Sequence, residues 1–435
     1  MNRPPVTPPA GPPADPPAGD RPPAVSARRL LALVLPAAVV GAGSSLVLIG
    51  LSRLAARLEH LWWSYLPQQL GFGPWDRWWI VTVLTGTGLL VGLAVWKLPG
   101  HGGPDPATLG LVDPPQPVAV LPGLAVVTML ALAGGVSLGP ENPIVMINVA
   151  LTYWAGRRLL PGSPVALWVA LAAAGTIGAL FGTAIGAALI LSELPAGRNL
   201  PAALWDRLFA PLVSASAGSL TTLLLVGNEF AVDLPVYPAA RTVDLGWAML
   251  ASSAGAALGM AAVYAFAPLH RLFGRLRNPV VTITTGGVLL GLLGALGGHL
   301  TLFKGLDQLK ELSTEFDRYS VWALLGLAVV KVAALLVAGT SGFRGGRIFP
   351  SVFVGAALGY AGHAAVPSVP VALAVSCAIL GVLFAVTRQG WLSLFTAAVV
   401  VPDSHLLPFL CVAALPAWLI VTGRPLMLVR AGAPA

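Results

Sequence analysis

An acid between two prolines, inside an otherwise apolar stretch, is where this chain first departs from packing and points to chemistry. The stretch is "SLGPENPIV", residues 137–145, and the acid is Glu141. The prolines and the glycine forbid a plain spanning helix, so Glu141 stands where one helix ends and the next begins. A carboxylate at membrane depth is expensive and marks function by default. Related interruptions recur at residues 98–106 ("LPGHGGPDP"), 339–355 ("GTSGFRGGRIFPSVFVG") and 422–427 ("TGRPLM"). Irregular backbone at that depth is tolerated only where it is buried in protein or lines a wet cavity. Helices restarting at such breaks aim unpaired N–H groups and a partial positive charge into the gap. Several converging there hold an anion without a lysine. Pro143 and Pro350 fall where helices restart, in the first turn, where a missing donor costs nothing. These two breaks lie in opposite halves of the chain, as in an inverted-repeat transporter. The residue identities between the halves are too few to establish the repeat.

The elements that must position these breaks follow from composition. The chain has 435 residues, 56% hydrophobic and 10% charged, where a soluble domain carries about 25% charged residues. Uncharged apolar runs cover residues 30–52, 79–96, 117–138, 159–192, 208–228, 245–269, 279–298, 348–387 and 408–423. Most reach the roughly 20 residues that cross a bilayer, and 159–192 and 348–387 are long enough for helix pairs. The expectation is an all-α, polytopic integral membrane protein.

Residues 1–27 are Pro-rich and read as an extended, disordered tail. Residues 28–430 form one membrane domain, and 431–435 a short C-terminal tail. Arg21, Arg28 and Arg29 precede the first run, which puts the N-terminus in the cytoplasm; Arg53 and Arg57 beyond it count against that orientation. The net charge of +8 reads as cytoplasmic loops and lipid headgroup contacts, not nucleic acid. Cys377 and Cys411 lie in apolar runs and read as free thiols. No metal or nucleotide pattern appears, so no cofactor is expected. "HLWWSY" (60–65) and "WDRWW" (75–79) read as interfacial aromatic belts.

Taken together, the breaks resemble the loops of the CLC family of voltage-gated chloride channels and chloride/proton antiporters. "GHGGP" (100–104) is similar to the family's GSGIP-like loop and "GPENP" (139–143) to its G(K/R)EGP loop. "SGFRGGRIFPS" (341–351) is similar to its GxFxP loop, and "GRPLM" (423–427) falls where the family has a tyrosine. Each motif alone is weak; the conjunction, in order, covers residues 30 to the end. The resemblance implies a CLC-type inverted-repeat bundle of tilted, broken and re-entrant helices. It also implies a homodimer in the cell membrane, with an anion pathway in each subunit and chloride as its cargo. Glu141 takes the place of the family's gating glutamate, which occupies an anion position until the ion or a proton displaces it. The anion-binding positions become His101, Gly102, Gly346, Arg347, Ile348, Phe349 and Met427, with Gly139, Pro143, Gly345 and Pro350 shaping the breaks.

Departures from the family bear on mechanism. His101 replaces a serine whose hydroxyl contacts the anion, and Met427 replaces the tyrosine, removing a donor. Backbone N–H groups at 346–349 survive such changes. Arg344 and Arg347 either attract anions at a mouth or face headgroups. Glu193 matches a glutamate shared by both branches, but the antiporters' proton glutamate falls on Leu194, which carries no proton. Another family glutamate is absent near 385–403. Channel-like or weakly proton-coupled conduction is therefore favoured over tight exchange. Lys331, in the helix running into "SGFRGG", reads as a lysine reaching for an interface, with a place near the pathway as the alternative. A rival of another class is an intramembrane serine protease, from "GTSG" (339–342) with Ser341 and His405. It leaves Glu141 unexplained. A transporter of larger organic anions shares the broken-helix physics and differs in pathway width.

Overall fold

A computed structural model describes residues 26–193, 204–227, 230–237 and 240–429. Among them the chain is helical without strands: α1 (Ala27–His60), α2 (Leu66–Leu70), α3 (Arg77–Lys97), α4 (Leu121–Ala133), α5 (Glu141–Leu159), α6 (Val165–Phe181), α7 (Ala184–Glu193), α8 (Leu204–Leu225), α9 (Thr242–Gly274), α10 (Pro279–Gly297), α11 (Leu306–Glu315), α12 (Val321–Thr340), α13 (Ile348–Ala365), α14 (Val371–Thr387), α15 (Gly390–Val400) and α16 (Leu407–Val421). Eight helical stretches are long and apolar enough to cross a membrane. Others, such as α4 and α15, are too short and stop inside the protein. The apolar run 159–192 resolves into α6 and α7, parted at Gly182 (φ +69°), and the run 348–387 into α13 and α14. Helix α12 escapes a search for uncharged runs because Lys331 splits it.

One packing pattern occurs twice. In the first half α1 lies against α6 and α8, α5 against α6, and α6 against α7; in the second α9 lies against α14 and α16, α13 against α14, and α14 against α15. Helices α3 and α10 join the halves. The repeat is metrical at the breaks: Gly135, Gly139, Glu141 and Pro143 precede Gly342, Gly346, Ile348 and Pro350 by 207 residues each (342−135, 346−139, 348−141, 350−143). Helices α4 and α12 end 207 residues apart as well (340−133), each followed two residues later by a left-handed glycine, Gly135 (φ +83°) or Gly342 (φ +98°).

Helices α13 and α14 form the centre: α14 is buried from Val371 to Val386. Their backbones nearly touch, since a methyl at Gly355 or Gly359 would strike the backbone of Ile379 or Val375. Small residues permit that approach where no water drives helix association. Cys377 is buried, Cys411 exposed, and both are free thiols. Of the N-terminal tail only Ser26 and Ala27 are described, and Ala27 already opens α1; residues 431–435 lie outside the described residues.

Candidate functional site

The two repeated breaks meet head to head. Gly139 donates to the Gly346 carbonyl at 2.9 Å, and Gly346 donates back to the Gly139 carbonyl at 2.7 Å. From this bridge α5 and α13 depart, each with its proline, Pro143 or Pro350, at the third helical position. Proline there removes one of the orphan N–H groups and leaves the others facing the break.

Glu141, the first residue of α5, reaches across to the N-terminus of α13. Its Oε1 accepts from the N–H groups of Ile348 at 2.7 Å and Phe349 at 3.3 Å, and the side chain is fully buried. Its Oε2 meets no donor among the described residues. The carboxylate thus occupies a berth made of backbone donors and helix-end charge, held by one oxygen only. Gly139 and Gly346 make the room: a methyl on Gly346 would overlap the Glu141 carboxyl, and one on Gly139 would overlap Oε2. Gly345 is likewise pressed on Leu138 and the Gly139 carbonyl.

Of the other expected anion contacts, Arg347 has its side chain engaged away from the berth. Its Nη2 donates to the Leu109 carbonyl at 2.9 Å, and its guanidinium lies 5.3 Å from the Phe266 ring. Arg344 is a buried clamp. It donates to the carbonyls of Gly342 (2.8 Å), His101 (3.1 Å), Gly102 (3.0 Å) and Gly103 (2.9 Å), tying the loop at 100–103 to the break before α13. Neither arginine reaches for headgroups. His101 is exposed, in a left-handed conformation (φ +52°), and its Nδ1 pairs with the Val95 carbonyl at 3.0 Å. Its backbone serves the arginine clamp while its imidazole closes the end of α3. Gly102 is buried beside it (φ +65°). Met427 is buried, on a segment that Val429 fastens to the Ala107 carbonyl at 2.8 Å.

Asp105, just after this loop, accepts from Ala107 N–H and pairs with His270 Nε2 at 2.8 Å. Burial acts to raise its pKa, but the His270 and Ala107 bonds outweigh it and hold the carboxyl below its ordinary range.

Above the berth lies a cavity of about 670 Å³ that reaches Pro140 and Phe349 on one side and Glu59, Lys304 and Asp307 on another. Phe349, Phe181 and Phe230 form an aromatic throat there, with ring centroids 5.1–6.4 Å apart. Sequence reasoning missed Phe181, inside an apolar run, and Phe230, in the loop after one, since neither carries a local signal. Trp63 is buried rather than interfacial. It donates to the Ala133 carbonyl at 2.9 Å and lines the same cavity.

Leu194 lies outside the described residues. Its neighbour Glu193 accepts from Gly390 N–H at 2.6 Å and Trp391 N–H at 3.1 Å, capping α15. Ser341 is buried against Gly286, whereas His405 is exposed and paired with Asp403 at 3.0 Å. The serine–histidine contact a protease needs is not formed.

A family model described as "Voltage gated chloride channel" matches residues 87–422. Proteins of Salmonella paratyphi A and Salmonella newport named "Putative ion-transport protein YfeO" are each 50% identical over 402 residues, covering 92% of this chain and 97% of theirs. The crystal structure of a CLC-type fluoride/proton antiporter superposes with a TM-score of 0.76 at 19% identity, covering 93% of this chain and 98% of that one. A slow cyanobacterial Cl⁻/H⁺ antiporter gives 0.77 at 17% identity, covering 90% and 95%. At those identities the likeness bears on fold alone.

Proposed function

The chain belongs to the voltage gated chloride channel family, and from that premise we propose that it carries chloride through a pathway gated by Glu141, with weak or no proton coupling. The observation that carries this reading is the Glu141 carboxylate lying on the Ile348 and Phe349 N–H groups. A halide needs the same donors. In the charged state the carboxylate fills the berth, and either an arriving anion or a proton displaces it. Protonation removes the charge that the helix end attracts and frees the side chain toward the cavity.

The remaining site residues divide the work. Gly139, Gly345 and Gly346 keep the berth open, while Pro143 and Pro350 start the flanking helices. Backbone at Arg347, Ile348 and Phe349 supplies donors once Glu141 has left. Gly102 and the His101 backbone border the opposite approach, and Met427 lines it without donating. Weak coupling is favoured because Leu194 carries no proton and Glu193 is committed to the α15 cap. The protein is read as a transporter and not an enzyme. It works as a homodimer in the cell membrane, with its N-terminus in the cytoplasm.

The rival reading is a proton-coupled chloride antiporter, supported by the fluoride/proton and Cl⁻/H⁺ antiporters whose structures superpose on this chain. Purified protein in liposomes, with chloride efflux and proton movement recorded together, separates the two. Chloride efflux without proton uptake supports conduction. A chloride gradient that pumps protons overturns it.

A further inference from the structure

Lys331 is buried in the middle of α12 and makes no ion pair among the described residues. Instead, its Nζ meets three carbonyls, those of Thr301 (3.1 Å), Leu302 (2.7 Å) and Phe303 (2.8 Å), and sits 5.3 Å from the Phe353 ring centroid. An ammonium has three donors; a neutral amine has two and a lone pair that would repel the third carbonyl. Burial away from water disfavours the charge, while three carbonyl dipoles and an aromatic face oppose that cost. The loop is bent to aim its carbonyls inward, with left-handed backbone at Phe303 (φ +56°) and Gly305 (φ +98°).

The placement relative to the pathway is what matters. Phe303 and Lys304, on the loop that Lys331 holds, line the cavity above the berth. The Phe303 N–H donates to the Gly135 carbonyl at 2.9 Å, at the start of the break that carries Glu141. Phe353 follows Phe349 by one turn of α13. Five residues of helix rise, about 7.5 Å, and the ring contact place Nζ roughly 10–15 Å from the berth.

We infer that Lys331 is a permanent ammonium, sealed behind the cavity wall, whose charge raises the pathway's affinity for anions and whose bonds hold that wall against the Glu141 break. The inference rests on the transport reading above. A unit charge at that separation, with an effective dielectric near 20, changes anion affinity about six- to sixteenfold.

The test is chloride flux in liposomes as a function of chloride concentration, for wild type, Lys331→Met and Lys331→Arg. The methionine variant should raise the half-saturating concentration about six- to sixteenfold, with maximal flux within about twofold of wild type, and the arginine variant should restore wild-type half-saturation. An unchanged half-saturation in Lys331→Met, or a loss of maximal flux alone in both variants, overturns the inference. The charge is read independently in the intact wild type by ¹⁵N-lysine resonance, because the chain has only Lys97, Lys304, Lys310 and Lys331. An ammonium signal that persists unchanged from pH 7 to 9 is expected; a neutral amine overturns the inference even where Lys331→Met fails to fold. A wild type that moves no chloride overturns the transport reading instead, and the resonance still decides the charge.

Discussion

Gly139 and Gly346 exchange both of their backbone hydrogen bonds, and the Glu141 carboxyl lies in the space their missing side chains leave. Neither glycine has a positive φ, so alanine suits the backbone at both and acts through the carboxyl. At Gly346 the three atoms nearest to an added methyl all belong to Glu141. Gly346→Ala should therefore evict the carboxylate, raising chloride flux at neutral pH and flattening its dependence on pH. Flux assays in liposomes check this; a wild-type profile in the variant would separate the glycine from the gate.

Arg344 satisfies four carbonyls from two separate breaks with one buried guanidinium. Each buried carbonyl left without a donor costs about 1–3 kcal/mol. Arg344→Gln, which reaches at most part of the set, should lose on the order of 3 kcal/mol or more, seen as a lower midpoint in detergent thermal unfolding. Lysine in its place should rescue only partly, because a point charge cannot span the fork.

Glu193 bonds the first two N–H groups of α15. Glu193→Gln keeps an acceptor but loses the charge at a helix N-terminus, a change of about 1 kcal/mol. Stability should fall by that amount, while any ratio of protons to chloride stays as in wild type. A changed ratio would move Glu193 from the cap into the proton path.

Asp105 has its pKa held below the ordinary carboxylate range, His270 and Ala107 bonds outweighing burial. A depressed acid adds stability that is fully present above its unfolded value, about 3.9, and is lost as pH falls through the folded value. Asp105→Asn should therefore lower the thermal midpoint by a few degrees at pH 7, with the gap to wild type narrowing toward pH 3. A gap independent of pH would deny the shift.

Much of the fold was legible because bilayer thickness fixes how long an apolar run must be, and because glycine and proline punctuate it. The placement of Glu141 at a helix break was legible for the same reason: an acid between prolines has few structural uses at that depth. The internal repeat was not, since within the breaks themselves, 135–143 and 342–350, only Gly135, Gly139 and Pro143 carry over in identity to Gly342, Gly346 and Pro350; there backbone geometry, not side chains, is what repeats. The arginines stayed ambiguous because all but one of their carbonyl partners lie more than two hundred residues away, and a carbonyl has no sequence signature. Lys331 hid α12 and its own role alike. Reading a lysine as interface-seeking fails when a loop turns three carbonyls inward to meet it.

The central claim is that one carboxylate competes with the anion for the N-terminus of α13. Chloride efflux from liposomes, compared between wild type and Glu141→Gln from pH 4 to 8, tests it most directly. A wild-type flux that rises as pH falls, beside a variant flux that is high and level throughout, is the predicted result. A variant that keeps the wild-type rise would contradict it.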